Sequence, residues 1–207
     1  MTGTSRCWSC EGERGSGDAL CPACGKVQPP PPAGTLIDNF AVLGVAQSFD
    51  VDPAALEEKF RALSRKLHPD RFARATPRER RYSLEQTTML NNAFRRLKDP
   101  LLRAQDMLAL HGVDASGEPG PGAKVPHEFL EEALHDRERL MEAKMDGGPA
   151  EVAKLGEEAR SKRDAALQAL AKNLREQRWP EAAQDVQRLR YHARFLEEVE
   201  GRERGFD

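Results

Sequence analysis

The chain has 207 residues, of which 39% are hydrophobic and 32% charged, with a net charge of −2. Aromatic residues make up 6%, and β-branched residues are sparse beside Ala, Leu, Glu and Arg, which disfavours a large β-sandwich or barrel and favours packed helices. A near-neutral chain is no general polyanion coat, and no run of eighteen apolar residues is present to span a membrane.

Residues 1–28 are rich in glycine, cysteine and charge. They lack the apolar core of a signal peptide, and Glu11, Glu13 and Asp18 do not suit an acid-poor presequence, so the expected compartment is the cytosol. All four cysteines fall here, as Cys7-x2-Cys10 and Cys21-x2-Cys24 with ten residues between the pairs. Two thiolates three residues apart on a tight turn can reach one ion, and two such knuckles complete a tetrahedron, the pattern that suits zinc. Four sulfurs leave no position for water, so the metal's role is structural. Gly12, Gly15, Gly17 and Gly25 are expected to supply the sharp turns. Disulfides, an iron occupant and reactive thiol pairs are the competing readings. A segment this small cannot bury a core, so metal binding is expected to supply its folding energy.

Pro29 to Pro32 open a stiff linker over residues 29–35. In residues 36–112, Asp52-Pro53 reads as an N-cap followed by proline at the first helical position. Leu56, Phe60, Leu63 and Leu67 then form one apolar stripe, which Pro69 ends. A second helix is expected from Pro77 to Lys98, with Leu84, Leu90, Phe94 and Leu97 for packing. A third, shorter one follows Pro100 and closes at His111-Gly112. Between the first two lies His68-Pro69-Asp70, which taken bare is only a turn. Arg61 and Arg65 sit one turn apart, nearly opposite the apolar stripe. Residues 113–126 read as a Gly/Pro linker, and 127–200 carry three helical patterns broken at Gly147-Gly148-Pro149 and at Pro180. The fold class is therefore all-α: a zinc-knuckle module, a helical hairpin and a three-helix bundle. Residues 36–110 carry net +3 and residues 126–200 net −4. His111, His127 and His192 show no ligand spacing.

The stretch FAVLGVAQSFDVDPAALEEKFRALSRKLHPDRF, followed by TTMLNNAFRRLKDPLLRAQDMLALHG, resembles the HscB family of J-domain co-chaperones of iron–sulfur cluster assembly. The likeness extends through FLEEALHDRERL and WPEAAQDVQRLRY and covers roughly residues 38–200. It implies a J-domain in which His68, Pro69, Asp70 and the basic helix face of Arg61, Arg65 and Lys66 engage a DnaK/HscA-type chaperone ATPase. It also implies that the C-terminal helices bind an IscU-type scaffold through Leu130, Glu131, Leu134, His135, Glu138, Glu142 and Tyr191. Glu131 and His135 depart from the usual bacterial pattern, an apolar residue and an acid. Such a protein has no active site and works by biasing another enzyme's conformational equilibrium. Homodimerisation stays open.

On the wheel, the apolar residues Phe129, Leu130, Ala133, Leu134, Leu140, Met141 and Met145 spread wider than one packing neighbour requires, so part of that arc is expected to be open. In the last helix Val186, Leu189, Ala193 and Leu196 make the core stripe, which leaves Tyr191 exposed or between domains. The alternative reading is a zinc-ribbon nucleic-acid-binding adaptor, for which Arg6, Trp8, Arg14 and Lys26 offer a thin basic footprint.

Overall fold

A computed structural model describes residues 4–15, 17–115 and 127–201. Most of the linker expected at 113–126 lies outside these described residues. The chain divides into two compact units, Met1–Asp106 and Met107–Asp207. Among the described residues no helix is long and apolar enough to cross a membrane.

The first unit begins with a small antiparallel hairpin, β1 (Thr4–Arg6) paired with β2 (Glu13–Gly15). Helix α1 (Asn39–Leu43) is capped by Asp38, whose carboxylate accepts from the Ala41 N–H at 3.0 Å. Helix α2 (Pro53–Leu67) starts as its sequence predicts: Asp52 accepts from the Ala54 N–H at 2.9 Å, and Pro53 occupies the first turn. A 3₁₀ turn, Pro69–Phe72, follows immediately.

Helix α3 (Pro77–Lys98) returns alongside α2. Its start is a capping box, in which the Glu79 N–H donates to Thr76 Oγ1 while the Glu79 carboxylate accepts from the Thr76 backbone and hydroxyl. The two helices meet through Phe60 stacked on Phe94, ring centroids 4.2 Å apart, and Leu56, Leu90 and Leu97 are buried. Helix α4 (Pro100–Leu110) is capped by Asp99, which accepts from the Leu101 and Leu102 N–H groups. Its Asp106 is buried between Asn39 Nδ2 at 2.7 Å and the Arg96 guanidinium, which ties α1, α3 and α4 together.

Leu84 departs from its expected packing role: it is exposed, and Glu79, Tyr82, Ser83, Gln86, Leu90, Ala93 and Leu97 form the buried face of α3. The inward stripe passes one position to the side of Leu84 and is polar over its first half.

The second unit begins within the last turn of α4 and continues with α5 (His127–Glu142), a π-helical turn (Ala143–Gly147), α6 (Gly148–Arg175) and α7 (Trp179–Val199). Leu140, Ala143, Leu155, Ala159, Phe195 and Leu196 form one of its buried clusters. The glycine pair and Pro149 turn the chain here, with Gly148 at φ +71. Gly156 lets α6 and α7 approach closely, because a Cβ there would meet Val199 Cγ1 at 3.3 Å.

Candidate functional site: a cysteine cluster, a His-Pro-Asp turn and an exposed helix strip

The four cysteines converge. Their sulfurs all lie within 4.8 Å of one another, with Cys7–Cys24 and Cys10–Cys21 each 3.7 Å apart. They are thiols, not disulfides. The two knuckles share one backbone pattern. The Cys7 N–H donates to Gly12 O and the Cys21 N–H to Lys26 O, each at 2.9 Å, while the Glu11 and Gly25 N–H groups donate back to Cys7 O and Cys21 O. The left-handed residue is Gly25 (φ +70) in the second knuckle and Glu11 (φ 59) in the first, so the first turn does not use Gly12 as expected.

Cys7 Sγ accepts from the Ser9 N–H and from Gln28 Nε2, both at 3.3 Å. Burial raises the Cys7 thiol, but N–H donors from Cys10 and Ser9 and the neighbouring thiols bring it down to about 6. Cys24 is held down by the Lys26 N–H, yet burial and the flanking sulfurs push it up to about 12. Four negative charges do not coexist in this space without a cation, and the donor set fits a soft divalent metal.

This cluster is seated on α3. Trp8 Nε1 donates to Val27 O at 2.8 Å, and its ring meets Tyr82 edge-on at 6.2 Å with the Arg78 guanidinium 4.3 Å above it. Lys26 Nζ reaches the buried Glu79 carboxylate at 2.8 Å. The fully buried Gln28 accepts from Gln86 Nε2 at 3.0 Å through its backbone carbonyl. None of these α3 contacts was singled out from the sequence; the T-x-x-E signature at Thr76–Glu79 was the one local signal available.

The His-Pro-Asp turn lies at the end of α2. His68 and Asp70 are exposed, the Asp70 side chain at 91%, and the Asp70 N–H donates to His68 Nδ1 at 3.3 Å. Among the described residues the one basic group within ion-pair distance of the Asp70 carboxylate is His68, at 3.5 Å. Arg61, Arg65 and Lys66 are also exposed, with Arg61 bridging to Glu57 one turn back.

In the second unit α5 buries Phe129 and Leu140 and exposes Leu130, Leu134, Met141 and, on the π-helical turn, Met145. Glu131, His135, Glu138 and Glu142 are exposed on the same helix, and His127 Nδ1 lies 3.2 Å from Glu131. Tyr191 is neither exposed nor set between domains, the two places the wheel suggests. It is half-buried, its hydroxyl donates to Ala133 O at 2.8 Å, and its ring packs edge-on against Phe129. The reason is that α7 packs against both α6 and α5: besides Ala182, Val186, Leu189 and Leu196 it buries His192 and Phe195, whose rings lie against Tyr191 and widen the buried arc toward it. Burial pushes the Tyr191 phenol well above its ordinary range.

A four-thiol knuckle, a helical hairpin with an outward His-Pro-Asp turn, and a helical unit with an open apolar strip define a protein of the J-type co-chaperone class. The family model described as "HSCB C-terminal oligomerisation domain" matches residues 125–200. The co-chaperone protein HscB homolog of Vibrio vulnificus is 31% identical over 166 residues, 79% of this chain and 95% of the relative. The human iron–sulfur cluster co-chaperone protein HscB is 27% identical over 197 residues, 94% of this chain and 80% of the relative. The crystal structure of human HscB superposes with a TM-score of 0.81 at 27% identity, covering 97% of this chain and 99% of that one. The chain belongs to the HscB family of iron–sulfur cluster co-chaperones.

Proposed function

We propose that this protein holds an IscU-type iron–sulfur scaffold on its C-terminal helices and delivers it to a DnaK/HscA-type chaperone, whose ATPase it stimulates. The observation that carries this reading is the exposed His68-Pro69-Asp70 turn at the end of α2, next to Arg65 and Lys66, in a chain that shares nearly its whole length with human HscB. An aspartate at 91% exposure, whose ion-pair partner among the described residues is His68 of its own turn, contributes little to folding, which suits a group reserved for another protein. Arg61, Arg65 and Lys66 offer the same partner a cationic face.

The scaffold surface is the strip of Leu130 and Leu134 with Glu131, His135, Glu138 and Glu142, an apolar edge bordered by acids. Tyr191 acts from behind it, by fixing the position of α5 through Ala133. The metal is structural zinc in the four-thiolate site. Bonds of about 2.3 Å to zinc would put tetrahedral sulfurs about 3.8 Å apart, and the Cys7–Cys24 and Cys10–Cys21 separations are 3.7 Å. The protein works in the cytoplasm and acts without chemistry of its own, through differential affinity for the chaperone's states.

Chaperone ATPase turnover in the presence of scaffold, compared for wild type and Asp70→Asn, tests the reading. Stimulation by wild type with none by Asp70→Asn is expected, and equal stimulation by both refutes the assignment.

A further inference from the structure

The carbonyl of Leu67 is the last one of α2 before the His-Pro-Asp turn. In a continuing helix it would accept from the Arg71 N–H, but that N–H donates to His68 O at 3.0 Å, and Pro69 has no N–H to offer. A buried carbonyl in that position needs a donor from elsewhere, and α3 supplies two. Ser83 Oγ donates to Leu67 O at 2.7 Å and Thr87 Oγ1 at 3.1 Å. Both acceptor positions of one oxygen are filled from residues one helical turn apart, and Ser83 and Leu67 are both buried. The peptide plane from which His68 departs is thereby fixed by two hydroxyls outside the turn.

The same face of α3 carries Gln86, between Ser83 and Thr87 in sequence, and Gln86 Nε2 donates to Gln28 O. Gln28 in turn donates through its own Nε2 to Cys7 Sγ and, at 2.8 Å, to Lys26 O. Hydrogen bonds through Gln28 and Gln86 therefore link the cysteine cluster to the turn of α3 that carries Ser83 and Thr87.

We infer that Ser83 and Thr87 are positioning residues for the His-Pro-Asp turn, and that the four-cysteine module braces the helix face that carries them. This deepens the co-chaperone reading and rests on it for its activity readout. A turn held in one geometry presents its binding-competent form all the time, whereas a loosened turn lowers the competent fraction and with it the apparent affinity. The clamp thus governs how much protein is needed for half-maximal stimulation, while His68, Pro69 and Asp70 govern whether stimulation occurs at all.

The test compares Thr87→Val, which keeps the side chain's shape without its hydroxyl, with Thr87→Ser, which keeps the hydroxyl, in the full metal-loaded chain. Thr87→Val is expected to raise the half-saturating concentration in the chaperone ATPase assay roughly three- to tenfold, the equivalent of one lost hydrogen bond, at unchanged maximal rate. Thr87→Ser is expected to restore the wild-type value. Backbone amide resonances of His68, Asp70 and Arg71 should shift in Thr87→Val, return in Thr87→Ser, and shift also in Gln86→Met, which cuts the link to the module. Unshifted turn amides in Thr87→Val, or a Thr87→Ser variant as impaired as Thr87→Val, would overturn the clamp, and unshifted turn amides in Gln86→Met would overturn the brace. If instead Asp70→Asn stimulates normally, the co-chaperone reading fails, while the amide shifts still decide the clamp.

Discussion

Glu79 is the charge set deepest in the contact between the cysteine module and α3, 4% exposed and 2.8 Å from Lys26. Replacing it in two ways separates its two duties. Glutamine at this position still completes the capping box, so Glu79→Gln removes the charge and little else. Lys26 is 43% exposed, so solvent screening holds the ion pair to about 1 kcal/mol. Alanine also deletes the contacts to Thr76 at 2.9 and 3.4 Å, which adds about 1 kcal/mol for a lost cap. Glu79→Ala is therefore expected to cost about twice as much as Glu79→Gln. In a Lys26→Met background the cost of Glu79→Gln should fall close to zero. Urea unfolding followed by Trp8 fluorescence in a Trp179→Phe background reads the first unit alone, because Trp8 lies in this contact and Trp179 in the other unit. The pH dependence has a definite sign. The Lys26 hydrogen bond, and after it Thr76, hold the folded Glu79 carboxyl below its ordinary value against the opposing effect of burial. Its stabilisation is complete above the unfolded value of about 4.3 and disappears as pH falls through the lower folded value. The gap between wild type and Glu79→Gln should thus close in acid. A gap that persists unchanged in the Lys26→Met background, or that widens as pH falls, would refute the reasoning.

Purified full-length chain should carry one zinc ion per molecule by elemental analysis; its removal with a strong chelator should red-shift Trp8 emission, and Cys10→Ser should make that removal easier. Tyr191→Phe keeps the ring against Phe129 but loses the bond to Ala133 O, a cost of about 1 kcal/mol. Calorimetry should then show the second unit melting ~4–8 °C lower. Leu134 is 63% exposed, so Leu134→Ala should leave stability within about 0.5 kcal/mol of wild type. The same variant should weaken scaffold binding about tenfold or more by titration calorimetry, and a stability loss without a binding loss would make Leu134 a packing residue.

Helix boundaries were readable wherever a proline or a cap stood at the end. Pro53, Pro77, Pro100 and the Gly147-Gly148-Pro149 break all fall where the corresponding elements begin or turn. The convergence of the cysteines was readable from spacing, because two C-x2-C pairs suit one tetrahedral ion. The face of α3 was not. Hydrophobic periodicity points to Leu84, whereas the buried positions there are Glu79, Tyr82, Ser83 and Gln86, which pattern analysis assigns to solvent. Their partners, Lys26, Trp8, Gln28 and the Leu67 carbonyl, lie 16 to 74 residues away in sequence, and nothing local announces them. Tyr191 was misplaced for a related reason: a helix covered by two neighbours has a buried arc wider than its aliphatic stripe.

The contact between the cysteine module and α3 is made of amides, a carboxylate, an ammonium and aromatic edges, with few aliphatic groups. Water can substitute for most of those partners, since Glu79, Gln86 and the Tyr82 hydroxyl are all groups that hydrate well when uncovered. A hairpin stripped of its module would therefore present a wettable flank and not a sticky one. Loss of the module would cost the brace it gives α3 without leaving an apolar surface on the helices beneath. The bacterial relative aligns over 79% of this chain and 95% of its own length, so it is the shorter of the two.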